Sequence, residues 1–153
     1  MKRYFLIPAL LIIAHSALAA DKSIEAMKAE ADKASGGHQA KLCSELAEHL
    51  VKVADEQFNQ GNDDQGKATV QDILKYASKA RDAAIQSHDS MKQTEIRLRE
   101  TQRRLESLKR TLSIDDRPPL DAVEKKIEQF RQDLLDAMFP PKKKVVGQSK
   151  LTH

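Results

Sequence analysis

Tryptophan is missing from this 153-residue chain, cysteine occurs once, and glycine and proline occur five times each. Aromatic residues amount to only 4%. So few Gly and Pro residues leave little material for tight turns, which disfavours an all-β sandwich, a barrel, or a Gly-rich nucleotide-binding α/β fold. One Cys excludes an intrachain disulfide framework and a zinc site built on several cysteines. No Gly-x-Ser-x-Gly, His-Glu-x-x-His or P-loop pattern occurs;. What the chain does have is charge, at 32% of its residues, and a supply of good helix formers;.

The amino terminus has the three-part order of a secretory signal. Lys2 and Arg3 precede an apolar run from Phe5 to Ala14, and Ala17 and Ala19 supply small residues at the −3 and −1 positions of a cleavage site. A membrane anchor needs about 20 apolar residues, whereas this run is broken at His15 and Ser16 and charge resumes at Asp21. Residues 1–19 are therefore expected to be a cleaved signal, and no Cys at the junction marks a lipoprotein. The expected destination is the periplasm or the extracellular space of a bacterium. Cleavage takes Lys2 and Arg3 away, so 24 basic residues face 23 acidic ones and the net charge drops from +3 to +1. The basicity belongs mostly to targeting and is no argument for nucleic-acid binding.

In the mature chain every Gly and Pro marks a boundary, and no stretch alternates like a strand;. The expected fold is all-α, an elongated antiparallel helical bundle over residues 20–139. Helices are predicted at about 23–34, 39–60, 67–112 and 118–138, followed by a basic, disordered tail over 140–153. In the second helix Leu42, Cys43, Leu46, Ala47, Leu50, Val53, Ala54 and Phe58 form a broad apolar face, and Gly61 supplies a left-handed stop;. The third is expected to be one long coiled-coil-like helix. Its heptad reads Val70, Ala77, Ala84, Met91, Leu98, Leu105, Leu112, with Ile73, Ala80, Ser87, Thr94, Thr101 and Leu108 as companions. A seven-residue period held that long signals a supercoiled seam, and such a helix would span about 70 Å. The fourth starts at Pro118-Pro119, which suit a first helical turn, and presents Leu120, Val123, Ile127, Phe130 and Leu134 at helical spacing. The second and fourth helices, each about half as long, would each cover half of the third.

Charge falls in blocks: residues 91–112 hold 7 basic and 3 acidic groups, and residues 113–139 hold 4 and 7. The basic half of the third helix is thus expected to face an acidic fourth helix. Glu95–Arg99, Glu100–Arg104 and Glu106–Arg110 are i,i+4 pairs in the favourable orientation;.

Candidate chemistry is sparse. The basic stretch Arg97, Arg99, Arg103, Arg104, Lys109, Arg110 has no interleaved aromatics and is broken by Glu, so a salt-bridged, solvated face is expected over a phosphate-binding stripe;. Glu45 and His49 lie one turn apart, but the Glu-x-x-His pair of a di-metal bundle is missing from the sequence;. Neither enzymatic activity, metal nor cofactor is expected. Cys43 sits on an apolar face, which favours a small buried hydrophobe; an interchain disulfide is the alternative in an oxidising compartment. Lys142-Lys143-Lys144 are too few and too isolated to favour contact with an anionic lipid or polymer, so a disordered, solubilising tail is expected;.

Ala54, Phe58, Gly61 and Ala68 resemble the small–aromatic–Gly–small rhythm of one tetratricopeptide hairpin, although the Gly-to-Ala spacing is two residues too long and no second copy follows;. Leu98-Arg99-Glu100-Thr101-Gln102 resembles the Leu-Thr-x-x-Gln motif of Spy-like periplasmic chaperones, with Thr beside Gln rather than beside Leu. Neither resemblance carries over any functional residue. The leading expectation is an exported, non-enzymatic structural or interaction protein, a scaffold or adaptor of the cell envelope. It would self-associate or bind a protein partner through its helices, with no nucleic acid and no stable membrane span after cleavage. The alternative is a periplasmic chaperone-like module that holds unfolded chains. Met91, Leu98, Leu105, Leu135, Met138 and Phe139 are the candidate contact surface.

Overall fold

The computed structural model describes residues 15–140, with side-chain surroundings from residue 24 onward. The expected signal therefore lies mostly, and the tail from Pro141 entirely, outside the described residues. Five α-helices follow one another: α1 His15–Lys33, α2 Gly36–Asn59, α3 Asp63–Ser87, α4 Met91–Thr111 and α5 Pro118–Met138, with a single 3-10 turn at Ile114–Asp116 before α5. Among the described residues there is no strand. The fold is an all-α helical bundle.

One expectation is overturned. The sequence between 67 and 112 does not form a single long helix; it breaks at His88-Asp89-Ser90, where His88 (φ 53) and Ser90 (φ 60) both take left-handed backbone. His and Asp are among the residues that enter this region most readily, and Asp and Ser side chains compete for backbone hydrogen bonds that a helix interior needs. The competition is visible in place. The Ser87 hydroxyl donates to the Ala83 carbonyl at 2.7 Å, and the Asp89 N–H turns back to the Ser87 Oγ at 3.4 Å. The His88 N–H closes a tight turn onto Ile85, and the Thr94 N–H starts the next helix on the Ser90 carbonyl at 2.8 Å. The heptad could not reveal the break, because the connector keeps the count: Ala84 and Met91 are seven apart across it.

Folding back at residues 88–90 sends α3 and α4 to diagonal corners of a four-helix arrangement. Each packs against both α2 and α5, and they touch each other far less. Consecutive helices are antiparallel, as short connections favour, so the sides α2–α4 and α3–α5 run parallel. The ion pairs record these directions. Arg97 reaches Glu45 at 2.9 Å and Arg104 reaches Glu48 at 3.0 Å between α4 and α2. Lys67 meets Asp116 at 2.7 Å and, further along, Arg81 meets Asp133 at 2.6 Å between α3 and the α5 side. α1 lies antiparallel on α2, burying Ala31 and holding to α3 through Lys28–Asp72 and Asp32–Lys79 at 2.9 and 2.6 Å.

The expected apolar faces all point inward. Leu46 and Leu50 of α2, Val70 and Ile73 of α3, Leu98 and Leu105 of α4, and Leu120, Ile127 and Leu134 of α5 are each at most 1% exposed. Each such side chain contributes roughly 1.5–3 kcal/mol by leaving water. Ala77, Ala80 and Ala84 are also fully buried, and their small size lets α3 approach its neighbours closely.

Candidate functional site

A furrow runs between the parallel helices α2 and α4. Its floor is apolar: Val51 and Leu108 are each 4% exposed. Two hollows of about 330 and 380 Å³ adjoin along it and share Glu100 as a wall. Lys52, Asp55, Arg104, Ser107 and Thr111 rim the first; Glu48, Gln93, Ile96, Arg97, Arg99 and Arg103 line the second. Their α4 lining runs from Gln93 to Thr111, about 27 Å, and their α2 lining from Glu48 to Asp55.

Why charge lines this furrow follows from the helix stripes. The core faces of α2 and α4 are apolar, so the residues flanking each stripe stand at the furrow's edges. There the α4 arginines meet the α2 carboxylates. Arg97 bridges Glu45 and Glu48 at 2.9 and 3.2 Å, and Arg104 bridges Glu48 and Glu100 at 3.0 Å each. Hydrogen bonding from Arg104 holds the Glu100 carboxyl below its ordinary value, and the charges of Arg103 and Arg104 add to the effect. The basic stretch is thus a salt-bridged face, as its composition suggested, and all three i,i+4 pairs form, at 2.6, 3.0 and 2.5 Å. The acidic partner is only partly the expected one, α5. Lys109 does pair with Asp121 and Glu124 of α5, at 2.7 and 2.6 Å, but Arg97 and Arg104 turn to α2.

Glu95 is a residue whose position the sequence concealed. Placed among solvated pairs by its spacing to Arg99, it is 3% exposed and accepts from Arg99 and, across the helix pair, from Arg131 at 3.1 Å. Arg131 continues to the Gln102 side chain at 2.7 Å. A buried carboxylate needs such partners, since desolvation otherwise favours its neutral form. The only sequence signal was Glu95's position beside Thr94, a seam residue.

The candidate contact residues separate into three groups. Leu98 and Leu105 are fully buried, and Met91 is half-buried against the core. Leu135 and Met138 are half-buried, and Phe139 is 73% exposed. Every seam position from Val70 to Leu112 is buried or half-buried within its own chain. The uncovered seam that motivated self-association is therefore consumed internally once the long helix breaks.

Cys43 is fully buried beneath α1, with its Sγ 4.0 Å from the Ala31 carbonyl. Burial pushes its thiol from 9.0 up to about 11. His49 is exposed and Glu45, its proposed neighbour, is taken by Arg97. Among the described residues no group of three metal-ligating side chains converges, and no helix is long and apolar enough to cross a membrane.

Fold and surface together define a class, an all-helical bundle with a charged inter-helix furrow. No protein family, curated protein or solved structure matches the chain.

Proposed function

We propose that this protein is an exported, non-enzymatic adaptor of the cell envelope that binds a protein partner along the α2–α4 furrow. The export half of the proposal rests on the leader pattern at residues 1–19;. The observation that carries the rest is the furrow itself, with its apolar floor of Val51 and Leu108, its two-signed rim, and Ile96 left 43% exposed beside it. A dry centre within a polar rim is the arrangement that interfaces use. The chaperone-like alternative draws on exposed apolar side chains. Among the described residues the large ones are Ile96, Ile114 and Phe139. They stand on the flank of α4, at the α4–α5 connection and at the end of α5, rather than in one patch of several hundred Å². That separation supports the adaptor over the cradle.

Site-specific photo-crosslinking in expressing cells tests this. A crosslinker at Ile96 or Arg103 is expected to give a discrete adduct, and one at Gln129, exposed on α5, is expected to give none. Equal labelling from both faces, or no adduct from the furrow, would overturn the furrow as the contact site. Recovery of the chain with its original Met1 in the cytosolic fraction would overturn export.

A further inference from the structure

Along the α2–α4 furrow the two signs of charge stand at different depths. The Arg99 side chain is 54% exposed where its partner Glu95 is 4%, and Arg103 is 74% exposed where its partner Glu100 is 36%. Arg104 likewise stands further out than Glu48 and Glu100, which it bridges. Arg97, held between Glu45 and Glu48, is the exception and lies level with them. Long arginine stems on the flank of α4 carry their charged heads to water, and the shorter carboxylates stay behind them.

Hydrogen-bond capacity follows the same order. A guanidinium has five N–H donors. Arg103 uses one of them, from Nη1 to Glu100 at 3.0 Å, and Arg99 uses two, both on Glu95. Lys52 is exposed on the α2 lip. The outer layer of the furrow is therefore rich in donors whose intrachain acceptors lie beneath. Two exposed carboxylates stand against this. Asp55 follows Lys52 on the α2 lip and accepts from the Asn59 side chain at 3.1 Å, and Glu106, on the outer side of α4, is paired with Arg110.

We propose, building on the reading that a protein partner binds this furrow, that the partner's contact segment is an acidic amphipathic helix. Its carboxylates take the outward N–H groups of Arg99, Arg103 and Lys52, and its apolar side meets Ile96, which is exposed between them and the floor. Laying a helix along a groove is a standard mode of peptide recognition, and α1 already uses it on the same α2. There Met27 and Ala31 pack against the core while Lys28 and Asp32 pair with Asp72 and Lys79 of α3. A basic helix would find the carboxylates of the furrow screened by arginines. A polyanion such as polyphosphate would meet the arginines but leave Ile96 in water, and no aromatic ring lines the furrow for a nucleic-acid base to stack on;. Because the contacts are exposed ion pairs, charge sets the choice of partner more than the strength of binding.

Fluorescence anisotropy with the purified full chain tests the proposal. The probe is a labelled helical peptide of about 18 residues, with Leu at every third or fourth position, Glu flanking that stripe, and Ala and Gln elsewhere. It is expected to bind, and to lose affinity between about 0.05 and 0.5 M salt. A peptide of the same composition with the stripe broken should bind roughly tenfold more weakly, and one with Lys in place of Glu should not bind. Lys52→Glu with Arg103→Glu should weaken binding roughly tenfold or more. Lys125→Glu with Lys126→Glu, the same change of charge at exposed positions on α5, should weaken it by about twofold at most. Both double variants should unfold at the temperature of the parent, since all four side chains are exposed. No binding of the acidic peptide, equal binding of the Lys peptide, or equal loss from the two double variants would overturn the proposal. Inorganic polyphosphate that binds as tightly as the peptide, and is weakened by the same furrow variant, would replace it with a polyanion site. Crosslinking in cells separates this proposal from the one it builds on. An adduct whose attached segment is neutral or basic sinks the acidic helix alone, whereas a peptide that binds without any adduct in cells sinks the furrow as the contact site in use.

Discussion

Gly66 has no room for a β-carbon. An added Cβ would stand 2.8–2.9 Å from three ring atoms of Phe58, where α2 and α3 meet, and Gly66 is itself buried. Gly66→Ala should therefore destabilise the fold by about 1–3 kcal/mol, read as a lower urea midpoint with an unchanged slope. Glu95 behaves differently, because removing it leaves Arg131, whose side chain is only 21% exposed, with the neutral Gln102 in place of a carboxylate partner. Glu95→Ala is expected to cost about 3 kcal/mol, again read by urea unfolding, whereas Glu106→Ala, in an exposed pair, should change the midpoint little. Cys43 and Tyr76 set an alkaline dependence. Burial raises the Cys43 thiol to about 11 and the Tyr76 hydroxyl to about 12. Both groups stay protonated in the folded chain at pH values where the unfolded chain has begun to ionise. Their contribution is complete below pH 9 and declines from about 9 to 12 as the unfolded state gains the advantage. Unfolding of wild type and Cys43→Ala across that window should show a shallower decline for the variant between 9 and 11. The same burial makes reaction of Cys43 with a thiol reagent at neutral pH slow, limited by opening of α1.

At the scale of elements, the connector His88-Asp89-Ser90 decides the topology. Much of the fold was legible without it. The boundaries near Gly36, Gly61 and Pro118 mark real helix ends, and the heptad named the residues that α3 and α4 bury. It could not say against which partner they are buried, since a periodic pattern fixes a face and its count survives a three-residue turn. The break itself was written only in weak local preferences, three polar residues inside a helical run, and Gly37 shows how tertiary packing adds to them. A Cβ on Gly37 would meet the Asp89 carboxylate at 2.1 Å, so the start of α2 is shaped to the turn. The furrow was not legible for the same reason, because it exists only after α4 has folded back beside α2. Its arginines were visible, and their α2 partners Glu45 and Glu48 were not. Replacing His88, Asp89 and Ser90 together by Ala removes two left-handed positions that Ala adopts only at about 1–2 kcal/mol each and supplies the best helix former. The triple variant should extend α3 into α4, expose the seam, and sediment as a larger species than the parent by exchanging helices between chains. Sedimentation indistinguishable from the parent, with unchanged stability, would show that the turn is imposed by packing alone.

At the scale of the whole molecule, folding back turns a seam that would bind other chains into the core of one chain. What remains outside is a charged furrow on one flank, with Phe139 exposed at the end of α5. The proposed function rests on one premise, that α4 folds back from α3 to the opposite corner of a single bundle. Neither the furrow nor the internal burial of Leu98 and Leu105 exists in a continuous helix. The distance between spin labels at Gln65, exposed near the start of α3, and Arg110, exposed near the end of α4, tests that premise directly. Pulsed electron resonance should give about 20–30 Å for helices packed in one bundle. A distribution centred near about 70 Å, the span of an unbroken helix, would contradict the account.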